Sequence, residues 1–243
     1  MQYSMKTDKG KVRESNQDGY FVTAFDDSSC FAVVCDGMGG MNGGDIASDM
    51  AVKIISERFV AGWRQGISFS SVKNLITTAV SAANICIYDE AKDNNELEGM
   101  GTTAVIVYVS SMNAVVANIG DSRAYIVNES LSQITTDHSL MQEMLSNGKL
   151  SYENAASFPY KNVITRALGI EEHIDIDFFD VILTKEDSLL LCTDGLTNFV
   201  SPDEIIRIVN GSSCENIASE LVKCANTNGG GDNITAVVLT NKM

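Results

Sequence analysis

Four aspartates stand at the edges of apolar runs, each beside a glycine or an asparagine: Asp18 in Arg13-Glu-Ser-Asn-Gln-Asp18, Asp36 in Val33-Val-Cys-Asp36-Gly37, Asp194 in Leu190-Leu-Cys-Thr-Asp194-Gly195, and Asp232 in Gly229-Gly-Gly-Asp232-Asn233. Desolvating one carboxylate is costly, so four at the ends of buried-looking strands require a shared counter-charge. A pair of hard divalent cations supplies it. Oxygen-only donors favour Mg²⁺ or Mn²⁺ over zinc, and two such ions bridged by water provide a nucleophile for hydrolysing a phosphate ester. An Asp-Gly pair is also a common hairpin signal. Neither pair here lies in a two-residue hairpin: Asp36 precedes a helical pattern and Asp194 precedes Leu196-Thr-Asn-Phe-Val200.

Arg13 lies five residues before Asp18 on the same short segment. A guanidinium can grip two phosphate oxygens at once, which suits substrate binding and charge neutralisation; the alternative for an isolated arginine is a solvated surface ion pair. Asn233 either orients a metal-bound water or forms a turn after Asp232. Other hydrolytic engines are missing. The chain has no GxSxG elbow, HExxH pair, P-loop or Cys-x5-Arg loop, which argues against a covalent phosphoenzyme.

The elements that must position these residues come in blocks. Residues 19–25 and 30–36 read as strands joined by the turn Asp26-Asp-Ser-Ser29. Two helices follow, about 44–60 with Ala47, Met50, Ala51, Ile54 and Ile55 on one stripe, and about 71–92 with Val72, Leu75, Ile76, Ala79, Val80, Ala83, Cys86 and Ile87 on another. Strands are predicted at 102–109, 114–119 and 124–127, then a weakly helical segment over 137–156 and an irregular one to about 172. Strands return at 174–183 and 188–192, followed by a helix opened by the capping box Ser201-Pro-Asp-Glu204, another opened by Ser212-Ser-Cys-Glu215, and a last strand at 233–240. Two helices in tandem between strand blocks argue against a doubly wound parallel sheet and for antiparallel sheets covered by helices.

The ordered segments around the aspartates, together with Gly101-Thr-Thr-Ala104, Ile119-Gly-Asp-Ser-Arg-Ala-Tyr125, Asp137-His-Ser-Leu140 and Ile164-Thr-Arg-Ala-Leu-Gly169, resemble the compact bacterial form of the metal-dependent serine/threonine protein phosphatases, the PP2C or PPM family. The likeness spans about residues 6–240. It implies an α+β fold, an αββα sandwich of two central antiparallel sheets flanked by helix pairs. It also implies Asp36 as the bridge between two tight ions, Gly37 as a carbonyl ligand, Asp194 and Asp232 as ligands of one ion, and Asp18 acting through water on the other. Asp121 with Asp194 would hold a third, weaker ion, and Arg13 would bind the substrate phosphate. The implied activity is hydrolysis of phosphoserine and phosphothreonine by a hydroxide bridging two ions, opposing bacterial serine/threonine kinases. The competing reading is a catalytically weak module that binds phosphoproteins on the same fold.

One departure from the family matters. Where eukaryotic relatives carry a histidine as general acid this chain has Met38, and where many bacterial relatives carry one after the paired glycines it has Met41. His138 is expected to be structural, and Arg123 to be an ion-pair partner, so metal-bound water is left to protonate the leaving group.

Composition agrees without being decisive. The 243 residues, 44% of them hydrophobic, suit a single domain over 1–243. A formal charge of −15 argues against nucleic acid or an anionic membrane as partner. The six cysteines show no CxxC spacing and read as reduced thiols, and the sequence has neither a signal pattern nor a spanning segment. A cytoplasmic monomer acting on phosphorylated proteins is the expectation.

Overall fold

The computed structural model describes residues 1–39, 43–155 and 158–240. Its elements run β1 (Gln2–Asp8), β2 (Asp18–Ala24), β3 (Ser29–Met38), α1 (Gly44–Gly62), α2 (Phe69–Asp93), β4 (Gly101–Thr102), β5 (Ala104–Ser110), β6 (Asn113–Ile119) and β7 (Arg123–Val127). They continue with β8 (Leu131–Gln133), α3 (Leu140–Ser146), α4 (Tyr152–Ala155), β9 (Asp177–Ile182), β10 (Ser188–Cys192), α5 (Asp194–Thr197), α6 (Pro202–Gly211), α7 (Ile217–Thr227) and β11 (Ile234–Thr240). One antiparallel sheet has the order β1-β11-β10-β7-β8. The other has the order β2-β3-β5-β6-β9, with β4 taking over from β5 along β3.

Strands apolar on both faces dictate four layers, because each face needs its own cover. In β3, Phe31, Val33 and Cys35 pack against Ala47, Ala51 and Ile55 of α1 and Ile76 and Val80 of α2. The alternate residues Ala32 and Val34 turn inward, onto Leu189 and Leu191 of β10 and Val237 and Leu239 of β11. The first sheet mirrors this: Ala236 and Val238 face Ile205 of α6 and Leu221 of α7. Each large apolar side chain so buried stabilises the sandwich by about 1.5 to 3 kcal/mol. This is the αββα architecture that the resemblance implies.

Several sequence expectations need correction. β1 was not expected: only Ser4 of its seven residues is buried, so it carries no apolar alternation, and its pairing with β11 defines it. β3 does not end at Asp36 but runs to Met38. Cys86 lies on the exposed side of α2, off the buried stripe. The Ser201–Glu204 capping box is present, but the one at Ser212-Ser-Cys-Glu215 is not; Ser213 caps only a 3₁₀ turn at Cys214–Asn216, and α7 starts at Ile217 without a side-chain cap. The weakly helical segment resolves into α3, capped by Ser139, and α4. Met41 and Ala156 lie outside the described residues.

Candidate active site

Strand register makes the first pair of carboxylates. Asp18 stands directly opposite Asp36 across the β2/β3 ladder, so both side chains leave the sheet on the same face. Asp194 and Asp232 flank adjacent strands of the other sheet, where the Thr193 amide donates to the Thr235 carbonyl at 3.2 Å. Two hydroxyls then tie the sheets together: Thr193 Oγ1 and Thr235 Oγ1 donate to Asp18 Oδ2 at 2.9 and 2.7 Å. Asp18 Oδ1 is buried with no hydrogen-bond partner. Asp18 therefore sits beneath the cleft rather than in its lining.

Burial and mutual repulsion raise these carboxyls. Desolvation, ahead of repulsion by Asp194 and Asp232, raises Asp18 to about 7 against the two hydroxyl donors. Asp36 rises well above the usual carboxylate range through desolvation and then repulsion by Asp18, Asp194, Asp121 and Asp232. Asp194 also rises, chiefly by burial and by Asp232, although Asn198 Nδ2 donates to it at 3.0 Å. Asp121 lies in the turn that carries the chain from β6 in one sheet to β7 in the other, and burial followed by Asp194 raises it to about 7.

The segment before β2 forms a wall of the cleft, and Asn233 fixes it. Asn233 Oδ1 accepts from the Gln17 amide at 2.9 Å while its Nδ2 donates to the carbonyls of Lys9 and Ser15 at 2.9 and 2.8 Å. Its amide is thus engaged by the backbone at both ends, a role that neither the water-orienting nor the turn-forming alternative named. Arg13 is held out from this segment in a two-pronged pair with Asp232, Nε to Oδ1 at 2.8 Å and Nη2 to Oδ2 at 2.9 Å. Both Asp-Gly glycines answer to close backbone approach: a Cβ on Gly37 would lie 1.9 Å from the Gly44 carbonyl oxygen, and one on Gly195 would lie 1.8 Å from that of Asn233.

Two further groups are structural, as expected. Arg123 is forked onto Asp137, with Nη2 to Oδ2 at 2.6 Å. It also reaches the Thr197 hydroxyl at 3.3 Å. His138 is buried; its Nδ1 accepts from the Gly120 amide at 3.0 Å and its Nε2 faces Asp177 at 3.1 Å. Thr103, Ser122, Thr193 and Thr235 are site residues to which the sequence reading gave no role. Thr103 Oγ1 accepts from the Asp36 amide at 2.9 Å and pairs with Ser122 Oγ at 2.7 Å. Their signal was visible: hydroxyls within or beside buried strands need partners.

The resulting cleft has a volume of about 780 Å³, lined among others by Arg13, Asp36, Gly37, Met38, Thr103, Asp121, Asp194, Asp232 and Asn233. A smaller cavity of about 470 Å³ at Phe69, Lys73, Asp180 and Ile182 gathers none of these carboxylates. The donor set fits hard divalent cations: it is all oxygen, one buried oxygen is orphaned, and the acids repel one another. Among the described residues no three His, Cys, Asp or Glu side chains form a ready metal cage. Water would have to complete the coordination, as is usual for Mg²⁺.

The family model described as protein phosphatase 2C matches residues 9–237. The serine/threonine phosphatase stp of Listeria welshimeri is 37% identical over 100% of this chain and 97% of its own length. The protein phosphatase PhpP of Streptococcus pneumoniae is 36% identical over 99% and 97%. The crystal structure of the serine/threonine phosphatase Stp1 from Staphylococcus aureus superposes with a TM-score of 0.92 at 32% identity, covering 100% of this chain and 96% of that one.

Proposed function

Because the chain belongs to the protein phosphatase 2C family and is a serine/threonine protein phosphatase, we propose that it removes phosphate from phosphoserine and phosphothreonine of proteins in a single in-line step, using two Mg²⁺ or Mn²⁺ ions. The carboxylates of Asp18, Asp36, Asp194 and Asp232 and the carbonyl of Gly37 would hold these ions, and Asp121 with Asp194 a third, looser one. One observation carries the reading: carboxylates from both sheets meet at one cleft with their acidities suppressed by burial and by one another. When bound, the cations supply an acidified water as nucleophile and screen the phosphoryl charge.

The chain's own groups do the rest. Asp36, repelled by all four of the other acids, would be the ligand shared by the two ions. Arg13 exchanges Asp232 for two phosphate oxygens, which orients the phosphoryl group. Met38 lines the cleft but carries no proton, and His138 is spent on Gly120 and Asp177, so water delivers the proton to the leaving serine or threonine oxygen. The non-catalytic reading is not favoured, since the acid set is retained, with Asp36, Asp121, Asp194 and Asp232 lining one cleft and Asp18 beneath it.

No helix among the described residues is long and apolar enough to cross a membrane, and all six cysteines are free thiols. We place the protein in the cytoplasm as a monomer in a single domain, opposing serine/threonine kinases. The test is hydrolysis of phosphothreonine and phosphotyrosine peptides by the purified chain, with and without Mn²⁺. Turnover of phosphothreonine that needs Mn²⁺ or Mg²⁺ and stops with chelator is expected; turnover that survives full chelation would overturn the metal reading.

A further inference from the structure

Two aliphatic residues line the cleft together with its carboxylates. Val12, the neighbour of Arg13, is 69% exposed, yet it lines the same cleft as Asp36 and Asp232. Ile164, from the segment that follows α4, lines it as well. An isolated exposed valine means little, since much of any protein surface is apolar. This one is held in place from both sides: the Lys11 amide donates to the Gly230 carbonyl at 2.7 Å, and Arg13 is forked onto Asp232. Ile164 is equally fixed. It forms an antiparallel bridge with Ser139, the Leu140 amide donates to Val163 at 2.8 Å, and the Thr165 amide donates to His138 at 2.8 Å. Two aliphatic residues on anchored backbone offer contact without the entropy cost of ordering a loop.

Position says what would meet them. Val12 lies in a turn, so its side chain and that of Arg13 reach the same cleft instead of alternating as in a strand. Consecutive Cα atoms are about 3.8 Å apart in the enzyme and in a peptide alike. If Arg13 takes the phosphate, the residue next to the phosphorylated one lies within reach of Val12 in the same cleft. Glu14, two positions on, also lines the cleft and repels an acidic neighbour.

Resting on the phosphatase reading above, we propose that Val12 and Ile164 form a subsite for an apolar side chain adjacent to the phosphorylated residue, biasing the enzyme toward phosphoserine and phosphothreonine flanked by aliphatic or aromatic residues and away from acidic flanks. The test uses the full chain with Mn²⁺ and matched phosphothreonine peptides in which the residue before or after the phosphothreonine is Leu, Ser or Asp. Roughly fivefold higher kcat/KM for Leu than for Ser is expected at one of the two positions, the effect of partial burial of an aliphatic side chain, with Asp lower still. In Val12→Ser and Ile164→Ser the Leu-to-Ser ratio should fall toward one, whatever the absolute rate of the variant. Equal rates for Leu and Ser peptides in the wild type, or an undiminished ratio in both variants, would overturn the subsite alone. No turnover of any phosphopeptide would overturn the phosphatase reading beneath it.

Discussion

The floor of the cleft and its walls are built on opposite principles. The floor carboxylates are placed by sheet register and by Thr193 and Thr235, at the cost of burying like charges together. The wall that carries Val12 and Arg13 is placed by neutral backbone hydrogen bonds to Asn233 and Gly230. The contrast separates two kinds of disorder a variant can cause. Neutralising a floor residue should remove chemistry and relieve strain; loosening the wall should spoil binding and cost stability.

The largest effect is therefore expected in the floor. Asp36→Asn and Asp194→Asn should each lower kcat on a phosphothreonine peptide by roughly 10³-fold, because each removes a charged ligand from a site whose chemistry depends on bound cations. In chelator the same variants should melt higher than the wild type, since a buried repelling charge is gone. An Asp36→Asn protein with normal kcat, or with a lower melting temperature in chelator, would break the contrast from the floor side.

Arg13→Ala comes next. Loss of a charge-assisted grip worth about 1.5 to 3 kcal/mol should raise KM roughly ten- to hundredfold. Arg13 is 54% exposed in its pair with Asp232, so the melting temperature should hardly change. Unaltered KM and kcat would return Arg13 to the role of a surface ion pair.

How much of this was legible in the sequence follows from the same contrast. Asp36 and Asp194 were readable because a carboxylate ending an apolar run is locally odd; antiparallel sheets under helices were readable from the two tandem helices between strand blocks, while the four-layer sandwich came from the family resemblance. β1 was hidden, since an edge strand with one buried serine has no pattern of its own. The cap of α7 was misread because Ser212 serves as the C-cap of α6 instead. Asn233 was undecidable locally: its three partners, Lys9, Ser15 and Gln17, lie more than two hundred positions away, and only the fold brings them near.

Asn233→Ala probes the wall directly, with a more modest outcome. It strands one amide and two carbonyls of the 9–17 segment, each partly buried, and should cost about 2 kcal/mol once water repairs part of the loss. KM should rise severalfold because Arg13 is no longer held in place, while kcat at saturation falls less. Limited proteolysis should now cut within 9–17. A variant with unchanged KM and unchanged protease resistance would show that the wall is held by something other than Asn233.

The finest test of the floor concerns pH and Asp18. Its carboxyl is raised from 3.8 to about 7 in the folded protein, first by desolvation. Between those values the folded state keeps a proton that the unfolded state releases, so stability falls as pH rises. The contribution is fully present below about pH 4 and is lost by about pH 7. A shift of that size corresponds to up to about 4 kcal/mol. In chelator, the free energy of unfolding of the wild type should decline from pH 4.5 to pH 7.5, and Asp18→Asn should flatten part of that decline. The variant isolates the group from the general repulsion of a chain with net charge −15, because it changes only one charge. Saturating Mn²⁺ should restore wild-type stability at pH 7.5 by binding the native state alone, with less benefit to Asp18→Asn. If the chelated wild type gains stability between pH 4.5 and 7.5, or if Asp18→Asn retains the full slope, Asp18 is satisfied by its two threonine hydroxyls and the floor does not carry the charge cost assigned to it.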